Sequence, residues 1–384
     1  MSRVLPILLL VTAPLVLSGG LHAGDRVGEF LEVVGASDGD FDRLERSWKE
    51  LDTDGDGRVT LGELPADLPP AMTRADIDGD GAISLEEFVI QDLDRAGASR
   101  IPLSENVRVV SHLPYAATED ARQRLDIYLP KTPSVEGPLP VVAYVHGGGW
   151  QAGSKVMART QVMDLVDSGR FAAVSIGYRL AWQDPWPAQI HDVKAGIRWI
   201  RAHAEEYGFD PSRICAMGAS AGGQLVAVLG TTSGVDELEG NLGTHTDHSS
   251  SVQCVVDFFG PSDFTDRAVT QEGESGAAVH RLFGGNADLA VQASALTHVD
   301  QHAPPFLIVH GTEDPVVDYE QSVKLSEALR EAGVPVVFQT IEGGGHGTFG
   351  GAVVEISRRV RAFLESNLYD DSIVVPAEIL TAGE

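Results

Sequence analysis

Cysteine is scarce in this chain of 384 residues, with two in all. That excludes a disulfide-stapled scaffold and a cysteine-rich zinc fold, so any bound metal has to be held by oxygen. Basic charge is scarce as well: 28 Lys and Arg stand against 56 Asp and Glu, for a formal net charge of -28. Such a surplus repels a nucleic-acid backbone or an anionic membrane face, which leaves cations and neutral molecules as partners. Long apolar runs are missing too. The run at residues 4–17 is interrupted by Pro6 and Pro14, and it falls short of the roughly 20 residues that a spanning helix needs. No stable membrane span is expected. With Arg3 ahead of it and small residues leading to Ala23, the segment 1–23 reads as an export signal. The expectation is a protein that begins near Gly24 and works in the periplasm or outside the cell.

What is present divides in two. Hydrophobic residues make up 43% of the chain and charged ones 22%, enough for a large core plus a small second module. Residues 24–100 hold 20 acidic and 8 basic side chains, a local net of -12. After Arg100, apolar runs of strand length at 125–129, 141–145, 172–176, 252–259 and 306–309 alternate with amphipathic stretches such as 190–207. That alternation predicts an α/β fold: a mostly parallel central sheet with helices on both faces, over residues 101–370. The segment 371–384 reads as a tail without a partner.

The acidic module carries two twelve-residue loops, DTDGDGRVTLGE at 52–63 and DIDGDGAISLEE at 76–87. Both match the EF-hand calcium loop at every liganding position. In the first, Asp52, Asp54 and Asp56 offer carboxylates, Arg58 a backbone carbonyl, Thr60 stands at the water-bridged place, and Glu63 closes. The second repeats the set with Asp76, Asp78, Asp80, Ala82, Ser84 and Glu87. Four carboxylates around one point repel one another unless a divalent cation neutralises them. Up to two Ca2+ ions are therefore expected, in a small all-α module. The stripes Phe41, Leu44, Trp48, Leu51 and Leu85, Phe88, Val89, Leu93 supply flanking helix faces. Val59 and Ile83 are expected to pair between the loops. Pro65, Pro69 and Pro70 lie between the loops, so the inner helices are stunted. The module resembles the short EF-hand pairs of secreted bacterial proteins, a resemblance that implies a structural rather than a signalling use.

The larger region carries an acyl-transfer pattern. An apolar strand runs into Gly218-Ala219-Ser220-Ala221-Gly222, followed by a helix-like stretch at 224–229. This is the strand, turn and helix setting of G-x-S-x-G, where small neighbours let the turn lift the serine oxygen clear. His146-Gly147-Gly148-Gly149-Trp150 follows the strand at 141–145. Its glycines leave N–H groups free to converge on an oxyanion, and Gly147, Gly148 and Ala221 are the predicted donors. His146 reads as a support for that loop. Asp314 follows the strand at 306–309, and His346 the strand at 336–341. Serine, acid, then histidine is the α/β-hydrolase order. Glu313 is the rival carboxylate, one residue away.

On HGGGW, YRL at 178–180, PAQIHDVKAGIRWIR, GASAGG, PPFLIVHGTEDPVV and GGGHG, the chain from about 120 to 368 resembles the α/β-hydrolase esterases. In particular it resembles the hormone-sensitive-lipase-like carboxylesterases and secreted bacterial feruloyl or acetylxylan esterases. The resemblance implies Ser220 as nucleophile, His346 as base and Asp314 as the acid that orients it, with no cofactor for catalysis. It implies a serine hydrolase of short acyl esters, with acetyl or feruloyl groups on polysaccharide as candidate substrates. A peptidase on the same fold and an inert calcium-dependent adhesion protein are the competing readings. Trp150, Trp182 and Trp186 suit either a sugar ring or packing. Cys215 and Cys254 are expected on neighbouring strands as free thiols. His310 and the other remaining histidines are assigned no chemistry.

Overall fold

The computed structural model describes residues 103–118, 120, 122–266, 273–369, 373–377 and 379–383, together with 49, 51–54, 59–60, 63 and 82–83. Residues 1–23, read above as an export signal, and most of 24–100, including Asp56, Arg58, Asp76, Asp78, Asp80 and Glu87, lie outside them. Within that module β1 (Val59–Thr60) and β2 (Ala82–Ile83) pair antiparallel, with Val59 opposite Ile83. The bridge between the two loops therefore forms in the expected register.

The large region is built on a nine-stranded sheet. Its strands are β3 (Val107–Pro114), β4 (Arg124–Pro130), β5 (Leu139–Val145), β6 (Ala172–Ile176), β7 (Phe209–Ala219), β8 (Cys254–Phe258), β9 (Phe306–Gly311), β10 (Val336–Glu342) and β11 (Leu380–Thr381). They lie in the order β11-β10-β9-β8-β7-β5-β6-β4-β3. Six neighbouring pairs, from β11/β10 across to β5/β6, are parallel, and only β6/β4 and β4/β3 are antiparallel. β5, β6 and β8 are buried along their whole length. Helices on both faces are what allow such continuous apolar strands.

Alternate residues of each strand feed two cores. On β7, Ile214 and Ala216 face the core closed by α2 (Ala188–Ala202), α3 (Ala221–Thr231) and α5 (Tyr319–Glu331). Cys215, Met217 and Ala219 face the core closed by α1 (Ala158–Asp167) and α6 (Val353–Leu368). The remaining long helix, α4 (Gly273–Leu282), precedes β9. The chain leaves β5 for β6 on one side and returns to β7 on the other. Loops after β5 and β7 thus diverge at a topological switch point, where open α/β sheets bind their ligands.

Two expectations are corrected here. Cys215 and Cys254 are joined by a disulfide. They are paired directly across β7 and β8 with Cα atoms 4.7 Å apart, within the span that a disulfide bridges. Free thiols were expected on the view that parallel neighbours seldom allow the geometry, and direct register removes that objection. The tail also has a partner. β11 extends the sheet beside Ile341 and Glu342, and the N–H of Ala382 donates to the Glu342 carbonyl at 2.9 Å.

Candidate active site

β7 delivers Ser220 into a turn with φ 55° and ψ -120°. A side chain in that region is strained, and tight packing enforces it. A Cβ at Gly222 would come within 2.2 Å of the Val145 carbonyl oxygen, and one at Gly218 within 2.3 Å of the Gly222 oxygen. Glycine at both places is therefore a condition of the turn. The Ser220 N–H donates to the Phe258 carbonyl at 2.9 Å, which ties the turn to the end of β8.

Ser220 Oγ lies 3.1 Å from His346 Nε2, and His346 Nδ1 lies 2.7 Å from Asp314 Oδ2. The loops bearing acid and histidine are laced together, since the N–H groups of Thr312 and Glu313 donate to the carbonyls of Ile341 and Gly344 at 3.0 and 2.9 Å. Asp314 Oδ1 accepts from the N–H groups of Val316 and Val317 at 2.8 and 2.9 Å. Burial alone would raise this carboxyl, but donors from His310, His346 and Val317 outweigh it and hold the group well below the ordinary carboxylate range. Asp314 is thus an anion with its charge aimed at His346. Glu313, the rival carboxylate, is exposed. The Phe259 ring packs on the His346 imidazole with centroids 4.6 Å apart, which limits the tilt of the ring.

The glycine loop after β5 presses on the same turn. A Cβ at Gly147 would stand 2.8 Å from the Ala219 oxygen, and Gly148 has φ +117°. Among the described residues no hydrogen bond takes the N–H of Gly147 or Gly148. Ala221 opens α3, so its N–H is one of the donors a helix start leaves free. Three amides beside Ser220 are therefore available to an oxyanion. His146 is fully buried, and burial pushes its imidazole down to about 3. The neutral ring stacks on Tyr178 at 4.2 Å, and its Nδ1 donates to the Gly147 carbonyl at 2.8 Å. This is a support for the loop, as its position in the sequence suggested.

The three tryptophans separate. Trp150 and Trp186 are buried and donate to Gln224 and Gln292 at 3.0 and 2.9 Å. Trp182 is 38% exposed. Beyond Trp150, whose ring meets Phe264 edge-on at 5.7 Å, a cleft of about 400 Å³ is lined by Phe264, Val279, His280, Phe283 and Asp288.

Sequence reasoning missed several residues at this site. Gln224 links Trp150 to the Ala293 carbonyl, which accepts its Nε2 at 2.8 Å. Asp257 sits fully buried under the turn, its Oδ1 accepting the Gly260 N–H at 2.9 Å while Oδ2 has no hydrogen-bond partner among the described residues. His310 Nε2 lies 3.2 Å from Asp314 Oδ2. The i, i+4 spacing of His310 and Asp314 in HGTED was the available signal for the last of these.

In the acidic module, one carboxylate oxygen from each of Asp52, Asp54 and Glu63 falls within 4.8 Å of the others. Glu63 accepts from the N–H and hydroxyl of both Thr60 and Thr53 at 2.8 to 3.0 Å, and those of Thr60 do most to hold its carboxyl at about 2. Hard carboxylate oxygen donors of this kind suit calcium. No helix of the described residues is long and apolar enough to cross a membrane.

Comparison with known proteins places the chain. The BD-FAE family model matches residues 125–329, a TAP-like protein model matches 287–372, and an EF-hand model matches 49–64 and 71–89. Esterase LipC of Mycobacterium tuberculosis is 32% identical over 235 residues, covering 60% of this chain and 58% of LipC. Esterase LipQ of the same organism is 32% identical over 58% of this chain and 53% of its own length. The chain thus spans a little over half the length of these relatives. Among solved structures, a truncated carbohydrate esterase from gut microbiota is 32% identical with a TM-score of 0.64, covering 70% of this chain and 99% of that one. A bifunctional GH43-CE protein of Bacteroides eggerthii is 36% identical with a TM-score of 0.61, covering 67% of this chain and 38% of its own.

Proposed function

The chain belongs to the BD-FAE family, and on that premise we propose that it hydrolyses carboxylic esters through an acyl-enzyme on Ser220. The observation that carries this reading is the hydrogen-bonded line from Ser220 Oγ through His346 to Asp314. His346 Nε2 takes the hydroxyl proton as Ser220 Oγ attacks the ester carbonyl carbon. The oxyanion is met by the N–H groups of Gly147, Gly148 and Ala221. His346 then protonates the departing alcohol, and a water molecule repeats the cycle to release the acid. Asp314 stabilises the imidazolium and fixes its tautomer throughout.

For substrate we propose short acyl groups, acetyl or feruloyl, carried on polysaccharide. The carbohydrate-esterase neighbours support that class. We further propose export, with residues 24–100 as a calcium-binding module and 101–370 as the catalytic domain. The paired loops and the donor set of Asp52, Asp54 and Glu63 support the metal, which would neutralise the module's repelling carboxylates and order its loops.

The test compares the chain from Gly24 with its Ser220→Ala variant on p-nitrophenyl acetate, p-nitrophenyl butyrate, methyl ferulate and acetylated xylan, with a peptide anilide alongside. Ester turnover by the parent, reduced at least about 10⁴-fold in Ser220→Ala, is expected. Cleavage of the anilide in preference to every ester would overturn the reading.

A further inference from the structure

We propose that His310 is a positioning residue for this chemistry: its Nε2–H donates to Asp314 and fixes the carboxylate on which His346 depends. The inference rests on the Ser220, His346 and Asp314 reading above and extends it by one link. His310 stands near the end of β9 with its ring fully buried. Its Nδ1 is 2.7 Å from Ser322 Oγ on α5, while its Nε2 is 3.0 Å from the Val317 carbonyl and 3.2 Å from Asp314 Oδ2.

Those partners determine the tautomer. Nε2 faces two oxygens that can only accept, a carbonyl and an ionised carboxylate, so it must carry a hydrogen. Nδ1 faces a hydroxyl, which can donate. With the Ser322 O–H donating to Nδ1 the ring is held at both nitrogens, and its Nε2–H is shared between Val317 and Asp314.

Asp314 then holds four donors: Val316 and Val317 on Oδ1, His346 and His310 on Oδ2. With Oδ2 bound from two directions the carboxylate cannot turn about its own axis without breaking a buried contact. Without His310 the charge on Oδ2 would fall on His346 alone. The imidazolium would then be favoured, and the acid would be less firmly placed. The other groups facing His310 are Asp257 on β8, which interacts with it electrostatically, the Tyr319 ring on α5 at 5.7 Å, and the Phe259 ring at 6.2 Å.

The test is the pH dependence of kcat and KM on p-nitrophenyl acetate for the parent, His310→Gln, His310→Asn and Ser322→Ala. A glutamine amide reaches the place of Nε2 and can still donate to Asp314, whereas asparagine reaches only the place of Nδ1. The asparagine variant is expected to lose about 10-fold in kcat with KM nearly unchanged. Its acidic limb should move up by roughly half a pH unit or more. Glutamine should restore both. Ser322→Ala, which removes the hydroxyl that holds Nδ1 and so loosens the ring, should move the limb the same way by less, and it decides the matter if His310→Asn fails to fold. Because Asp257 changes charge near pH 6, the profiles are repeated in an Asp257→Asn background, where the same displacements are expected. Equal losses in the glutamine and asparagine variants, or an acidic limb fixed at the parent position in both His310→Asn and Ser322→Ala, would overturn the proposal. An active Ser220→Ala protein would instead overturn the nucleophile assignment, and this inference with it.

Discussion

At the scale of single residues, environment decides between groups of identical chemistry. Asp314 and Glu313 are neighbouring carboxylates, yet one is locked by four donors and the other faces solvent. Asp314→Asn should reduce kcat by about 10⁴-fold because the imidazole loses its defined tautomer, while Glu313→Gln should stay within about twofold of the parent; comparable losses from both substitutions would show that the acid had been misassigned. Asp257 gives a different kind of prediction. Burial pushes its carboxyl up to about 6 from an ordinary value of 3.8. The folded protein then binds this proton more tightly than the unfolded chain, so the group's stabilising contribution is present at low pH and is lost as pH rises through about 6. The loss amounts to as much as about 3 kcal/mol. Asp257→Asn should therefore raise the melting temperature more at pH 8 than at pH 4.5, and a gain independent of pH would count against it. Ser220 was legible in the sequence because its strain demands small neighbours on both sides, and those neighbours are adjacent in the chain. The i, i+4 spacing to Asp314 hinted at His310, but its place also depends on Ser322, which comes from another element, so the local pattern alone did not identify it.

At the scale of elements, strand cores were readable from continuous apolar runs, and the loops bearing Ser220, Asp314 and His346 follow them directly. Pairing was harder to read. Whether Cys215 and Cys254 could bond depended on a register that neither strand encodes alone, and β11 has only two residues with which to announce itself. The disulfide closes 39 residues of chain beneath the catalytic turn. Replacing both cysteines by alanine should cost about 3 to 4 kcal/mol of stability, read as a lower denaturant midpoint in non-reducing buffer. An unchanged midpoint would mean that the bond adds nothing to the packing of β7 on β8.

At the scale of the whole molecule, the net charge of -28 makes divalent cations the natural stabilisers. Calcium at about 100 times a site's dissociation constant should add about 2.7 kcal/mol to the unit that binds it. A calorimetric transition should therefore rise on adding calcium and fall with chelator, and Glu63→Gln should blunt the response. A thermogram indifferent to both additions would remove calcium from the account. The sheet also has a temporal side. Residues from β3 to the Ser220 turn are contiguous in sequence and assemble one half of the sheet, from the β3 edge to the central β7, whereas His346 arrives only after β10, on the flank built last. As a chain emerges from the ribosome N-terminus first, it exposes a serine long before any base exists to activate it. On the mechanism proposed above, the unfinished polypeptide is therefore silent toward surrounding esters until β10 and His346 have followed.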